Sequence, residues 1–191
     1  MSGRPATFVR LGGCIEPYCE WCDTRRAWHE HEPMQIEEIL NQIKNNLVVI
    51  TGGEPFLQWE SGLQKLHSEL IKTGHQIQYE TSGKCPLPNI QDATIVLSPK
   101  LIDNCWHCAK NNISKADYLK FVAYNELELR EIHNYIKLHR IPASKVFIMP
   151  GGQTRQEQIE NMPQVFNFCS DHNYNLSARL HILAFDSRPG I

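Results

Sequence analysis

Short apolar runs recur along the chain, and the segments between them repeat apolar residues at helical spacing. This alternation constrains the fold more than any other feature of the sequence. TFVRL (7–11) reads as a strand that runs into a cysteine-bearing loop. Residues 34–45 place Ile36, Ile39, Leu40 and Ile43 on one helical face. LVVIT (47–51) is an apolar run of the kind found in strands buried on both faces. A second helix is predicted from about 59 to 73, with Leu63, Leu66, Leu70 and Ile71 inward and Gly74 as its C-cap. HQIQYET (75–81), ATIVLS (93–98) and YLKFV (118–122) read as further strands. Residues 126–139 carry Leu129, Ile132, Tyr135 and Ile136 at helical spacing, and KVFIM (145–149) is the next strand. Thr154 and Glu157 make a capping box that opens a helix running to about 172. LSARLHIL (176–183) is expected to close the series as the last strand.

Strands that alternate with helices imply a parallel sheet with helical cover. A closed eight-stranded barrel takes about 250 residues, and this chain has 191. The expected fold is therefore α/β, a partial, open TIM-like barrel of about six parallel strands with outer helices, in a single domain over 1–191. No repeat, low-complexity segment or linker divides it. A substrate is expected at the C-terminal strand ends. The unusual residues collect there: the cysteine loop after the first strand, TGGEP after LVVI, ETSG after QIQY, SPK after TIVL, and MPGG after VFI.

A net charge of −2 and a pI near 6.5 leave no basic footprint for nucleic-acid phosphates. The sequence contains no run of 18 apolar residues and no leader with an apolar core, so a cytoplasmic location away from membranes is expected. Seven cysteines, an odd number, are then read as metal-binding, catalytic or buried and not as a disulfide framework.

Cys14, Cys19 and Cys22 fall at spacing C-x4-C-x2-C. A structural zinc site wants four ligands, which Cys105 and Cys108, or His29 or His31, could complete. A [4Fe–4S] cluster held by three thiolates instead leaves one iron open to a small molecule. S-adenosylmethionine fits that vacancy through its amino and carboxylate groups, and it carries the hard chemistry itself. TGGEP favours the second reading, because two glycines after a strand admit close backbone approach and Glu54 can face a cationic amine.

With these motifs in hand, the chain resembles the radical S-adenosylmethionine superfamily and, more narrowly, the 7-carboxy-7-deazaguanine synthase family of queuosine and 7-deazapurine biosynthesis. The resemblance is carried by FVRL-G-C, WCDT, TGGEP, ETSG, SPK and LKFV, in the same order over nearly the whole chain. It implies a lyase that converts 6-carboxy-5,6,7,8-tetrahydropterin to 7-carboxy-7-deazaguanine with loss of ammonia. Cys14, Cys19 and Cys22 would ligate the cluster, Trp21 would pack over it, and backbone of Glu20–Cys22 would meet the adenine. Thr24 would supply a hydroxyl ligand to Mg2+, a hard cation that keeps much of its water. Arg10 would pair with the substrate carboxylate in a bidentate match, and Thr51 would contact substrate. Gly53, Glu54, Ser98, Pro99 and Lys100, with Pro150 and Gly151, would hold S-adenosylmethionine. His181, taken to lie in the last strand, and the Ile191 carboxylate would reach the substrate. The family is a homodimer that draws electrons from a flavodoxin or ferredoxin.

The chain departs from the family pattern in three places. The superfamily usually has C-x3-C-x2-C. The chain lacks the preceding strand and Gln-Gly-Glu-Gly turn that touch the pterin, so either its start is truncated or other groups do that work. DNCWHC (103–108) lies outside the pattern. Cys105 and Cys108 read first as chance cysteines in a loop, with zinc or a second cluster, joined by Cys85, as the alternative. HEHEP (29–33) reads as a solvated loop. Two other functions compete: a glycyl-radical activating enzyme, opposed by the CDT and Arg10 pattern, and a non-enzymatic zinc-binding module.

Overall fold

A computed structural model describes residues 3–29 and 31–188. Their contacts gather into two compact units, residues 4–117 and residues 118–188 with Gly3, each described here by itself. Glu30 of HEHEP and Ile191 lie outside the described residues.

The first unit runs β1 (Thr7–Leu11), α1 (Ile36–Gln42), β2 (Leu47–Gly52), α2 (Gln64–Lys72), β3 (Gln76–Thr81) and β4 (Ala93–Leu97). The four strands lie side by side in chain order and are all parallel, with Phe8 opposite Val49, Val48 opposite Ile77 and Ile77 opposite Ala93. The apolar run in β2 is buried as its composition demands, Val48 and Ile50 being 0% exposed. At the strands' C-terminal ends the register puts Arg10 opposite Thr51, Leu11 opposite Gly52 and Thr81 opposite Leu97. Arg10 and Thr51 therefore point to the same face of the sheet.

The helix expected over 59–73 is divided. A 3-10 turn (Pro55–Gln58) and a wide π turn (Trp59–Leu63) precede α2, and Gly62 sits inside the π turn at φ 153°. Only glycine takes that backbone conformation without strain, which is why the regular helix starts after it. Gly74, at φ 81°, ends α2 as expected.

Two short elements follow that the apolar pattern does not announce. β5 (Lys100–Ile102) and β6 (Cys105–His107) form an antiparallel hairpin, with Asp103 at φ 50° and Asn104 at φ 59° in its two-residue turn. Two left-handed residues of this kind make the tight hairpin connection whose twist matches the strands. α3 (Asn112–Lys115) closes the unit. DNCWHC is thus a structured hairpin and not an irregular loop.

The second unit runs β7 (Tyr118–Ala123), α4 (Glu126–Leu138), β8 (Val146–Pro150), α5 (Arg155–His172), β9 (Asn175–Leu176) and α6 (Leu180–Phe185). β7, β8 and β9 are parallel neighbours in chain order. Asn125 caps α4 by accepting from Glu128 N at 3.0 Å. The capping box at α5 is present: the Thr154 hydroxyl accepts from Glu157 N at 3.2 Å and Glu157 accepts from Thr154 N at 3.0 Å.

One expected element is corrected. LSARLHIL does not form a strand over 176–183: β9 ends at Leu176, and residues 180–185 are helical. The segment alternates apolar residues at Leu176, Ala178, Leu180 and Ile182, yet Leu180 and Leu183 also meet helical spacing. Tertiary contacts decide between the two. Arg155 donates to the carbonyls of Leu183 at 2.7 Å and Ala184 at 2.8 Å, which satisfies acceptors that the end of a short helix leaves open.

Both units are α/β, and among the described residues the first carries four parallel strands beside the β5–β6 hairpin and the second carries three. Among the described residues no helix is long and apolar enough to cross a membrane.

Candidate functional site

The cysteine loop is closed by its own backbone. Gly13 N donates to Ala27 O at 2.8 Å, so the chain leaves β1 and returns to its starting point fourteen residues later. Inside it, Cys22 N donates to Cys19 O at 3.1 Å, and Thr24 N donates to the Cys22 sulfur at 3.4 Å. Tyr18 stacks on Trp28 with ring centroids 4.5 Å apart, and Arg25 donates to Glu20 O while lying 5.8 Å from the Trp28 ring. Cys14, Cys19 and Cys22 are free thiols, all half-buried, as is Trp21. Burial raises the Cys14 thiol above its ordinary pKa.

The two glycines of TGGEP serve a purpose the sequence reading did not assign. Gly53 N donates to Leu11 O at 2.9 Å and Glu54 N to Gly13 O at 2.7 Å. A Cβ on Gly53 would stand 1.6 Å from Gly13 O, and one on Gly52 (φ 127°) 2.1 Å from Leu11 O. The glycines thus let the loop after β2 lie directly against the loop after β1. Gln58 Nε2 adds a bond to Gly12 O at 2.6 Å.

Glu54 is 0% exposed. Its carboxylate accepts from Thr81 Oγ1 at 2.6 Å, Ser82 Oγ at 2.5 Å, Ser82 N at 3.0 Å and Phe56 N at 3.4 Å. Three of those donors come from the end of β3, so the ETSG turn satisfies the buried carboxyl group supplied by the loop after β2. Next along the sheet, Ser98 N donates to Thr81 O at 2.8 Å and Lys100 Nζ to Ser98 Oγ at 2.8 Å. Ser98 and Pro99 are buried.

On the solvent side of the cysteine loop, Arg10 Nη1 donates to Thr24 Oγ1 at 3.2 Å, and that hydroxyl donates to Asp23 Oδ1 at 2.9 Å. A strand cation, a hydroxyl and a carboxylate therefore meet two residues past the last cysteine. Thr51 lies on the same sheet face as Arg10.

In the second unit, Pro150 ends β8, Gly151 follows it, and both are buried. Gln158 Nε2 donates to Pro150 O at 2.9 Å and to Gly152 O at 3.0 Å, and Asn161 Nδ2 to Gly151 O at 2.9 Å. His181 is exposed on α6, so the strand placement that suggested a substrate role for it is not what the chain forms. Residues that the sequence reading passed over include Thr81, Ser82, Asp23, Gln58 and Lys84. The strand-end position of ETSG was the available signal for the first two.

The loop suits three-point attachment of a [4Fe–4S] cluster. It offers three free, half-buried thiols on a self-closed loop, and one sulfur already accepts a backbone N–H, a type of contact that tunes such clusters. Among the described residues, no three His, Cys, Asp or Glu side chains are grouped to hold one metal ion. Thiolates on separate corners of a cluster need no such convergence.

No family-level sequence profile matches the chain. It is similar to the 7-carboxy-7-deazaguanine synthase of Hyperthermus butylicus, 35% identical over 203 residues that cover 95% of this chain and 85% of the relative. That of Pyrobaculum aerophilum is 30% identical over 200 residues, covering 98% and 89%. Among solved structures, the fold is similar to QueE from Escherichia coli, with a TM-score of 0.73 at 24% identity over 93% of this chain and 86% of that one. It is also similar to Streptococcus suis SuiB bound to S-adenosylmethionine, with a TM-score of 0.58 at 14% identity, covering 91% of this chain and 50% of that one.

Proposed function

Since the chain belongs to the 7-carboxy-7-deazaguanine synthase family, we propose that it is a radical S-adenosylmethionine lyase that converts 6-carboxy-5,6,7,8-tetrahydropterin to 7-carboxy-7-deazaguanine with loss of ammonia. Cys14, Cys19 and Cys22 would hold the [4Fe–4S] cluster, and Glu20–Cys22, Gly53, Glu54, Ser98, Pro99, Lys100, Pro150 and Gly151 would bind S-adenosylmethionine. When bound, that pair supplies a one-electron route to hydrogen-atom abstraction.

The observation that carries the reading is the Arg10–Thr24 hydrogen bond beside the cysteine loop. Arg10 offers a planar pair of donors to the pterin carboxylate, and its charge persists at any working pH. Thr24 donates its proton to Asp23, which leaves hydroxyl lone pairs for Arg10 and for a Mg2+ ion. Thr51, across the register from Arg10, faces the same substrate. The buried Glu54 carboxylate, held by four donors, fixes the separation between the loops after β2 and β3. Positioning and charge complementarity are then the protein's contribution to rate. The protein works as a homodimer in the cytoplasm and takes electrons from a flavodoxin or ferredoxin.

Anaerobic turnover of the carboxylated tetrahydropterin with Mg2+ and reductant tests this. Deazapurine formation with little net loss of S-adenosylmethionine is the expected result. Stoichiometric 5′-deoxyadenosine with no deazapurine overturns it.

A further inference from the structure

The loop between Cys14 and Cys19 is one residue longer than the usual spacing, and a longer loop costs more entropy to hold in one shape. Its backbone carbonyls also need partners. Lys84 supplies them: Nζ donates to Ile15 O at 3.1 Å and to Pro17 O, on either side of Glu16. An ammonium with three donors suits two carbonyls that converge. The loop between the first two cysteines is thus held from outside by a side chain some 69 positions further along the chain.

The base of that side chain is itself fixed. Lys84 N donates to Ser82 Oγ at 3.3 Å, the same hydroxyl that binds Glu54. Gly83, at φ 70°, has its carbonyl taken by Ala109 N at 2.7 Å and Asn112 Nδ2 at 2.9 Å. Asn112 is 1% exposed and also donates to Cys85 O at 2.8 Å. The Lys84 ammonium thus lies against the carbonyl of the residue that follows Cys14.

We infer that Lys84 is a positioning residue for the enlarged cysteine loop. It clasps the carbonyls of Ile15 and Pro17, holds Cys14 and Cys19 in cluster-binding geometry, and places a positive charge beside the cluster that raises its reduction potential. This rests on the cluster-binding function proposed above. The sequence pattern alone gives no sign of it, because Lys84 directly follows ETSG and reads as a surface lysine of a turn.

The test compares Lys84→Met and Lys84→Arg with the wild-type chain. In the metal-free protein, hydrogen exchange over residues 14–19 should be about 10-fold faster in Lys84→Met and restored in Lys84→Arg. In anaerobically reconstituted protein, chelator-driven iron release should be about 10-fold faster in Lys84→Met, with a lower midpoint potential, and both should recover in Lys84→Arg. Should Lys84→Met not fold, Lys84→Gln replaces it: its neutral amide should leave exchange and iron release faster than in the wild type and the potential low. Wild-type exchange together with wild-type iron release in the charge-free variant overturns the clasp. A wild-type chain that takes up no iron overturns the cluster reading instead, and the exchange measurement then still decides the clasp.

Discussion

Arg10 and Thr24, fourteen residues apart, meet through one hydroxyl: Nη1 of the strand residue donates to Oγ1 of the loop residue at 3.2 Å. Thr24→Ala removes that oxygen and leaves the three thiols in place. The Mg2+ concentration needed for half-maximal turnover should rise about 10-fold, while the cluster absorbance stays unchanged. Thr24→Ser should behave like the wild type. Loss of the cluster in Thr24→Ala would show that the two roles are not separable.

Glu54→Gln keeps the shape of the buried side chain but turns an amide N–H2 toward hydroxyl and backbone donors that now lack an acceptor. Unfolding in urea should show a loss of about 2 kcal/mol for the metal-free chain. Because Thr81 supplies one of those donors, Thr81→Val should cost less in the Glu54→Gln background than alone. Strict additivity of the two changes would argue against a shared network.

Gly53 and Gly74 separate two reasons for glycine. At Gly53 an added Cβ would collide with the Gly13 carbonyl, whereas at Gly74 it meets nothing within 4 Å and only the left-handed backbone (φ 81°) is strained. Gly53→Ala should therefore cost about 3 kcal/mol and weaken cluster retention. Gly74→Ala should cost about 1 kcal/mol and leave retention intact. Thermal melts of both variants, with iron analysis, check the contrast.

Burial pushes the thiols of Cys85 and Cys169 up to about 11, with the Glu54 carboxylate adding to the effect at Cys85. At pH 8 their thiolate fraction lies on the order of 100-fold below that of an ordinary cysteine. Iodoacetamide mapping of the metal-free chain should modify the exposed Cys105 first and Cys169 last. The linkage has a definite sign. A folded-state pKa above the unfolded value gives stability that is complete below the ordinary thiol range and is lost as the pH climbs toward 11. Cys169→Ala should flatten the fall of the urea midpoint between pH 8 and 10.5.

The parallel strands were legible because each is an apolar run bounded by breakers, and β2 shows the principle at its plainest. The capping box at Thr154 and the stop at Gly74 were equally local. The β5–β6 hairpin escaped because three-residue strands carry no periodicity, although its Asp103-Asn104 turn was a readable sign. The helix at 180–185 escaped for a different reason: its residues satisfy two periods at once, and Arg155, from another helix, decides between them. In the site, residue types and spacing pointed to the thiols and to Thr24. The donors that hold Glu54 depend on which strand end lies beside which, and one chain's pattern does not display that.

The strand order of the first unit bears on how the protein is made. β1, β2, β3 and β4 are neighbours in the order of synthesis, and the bonds that close the cysteine loop, bury Glu54 and anchor Lys84 all lie within residues 4–117. Every hydrogen bond named for the loop joins two residues of the first unit, so none of them waits for a residue of the second. The cysteine loop can therefore close on the emerging chain, and its thiols can meet iron or oxygen, before the second unit has been completed.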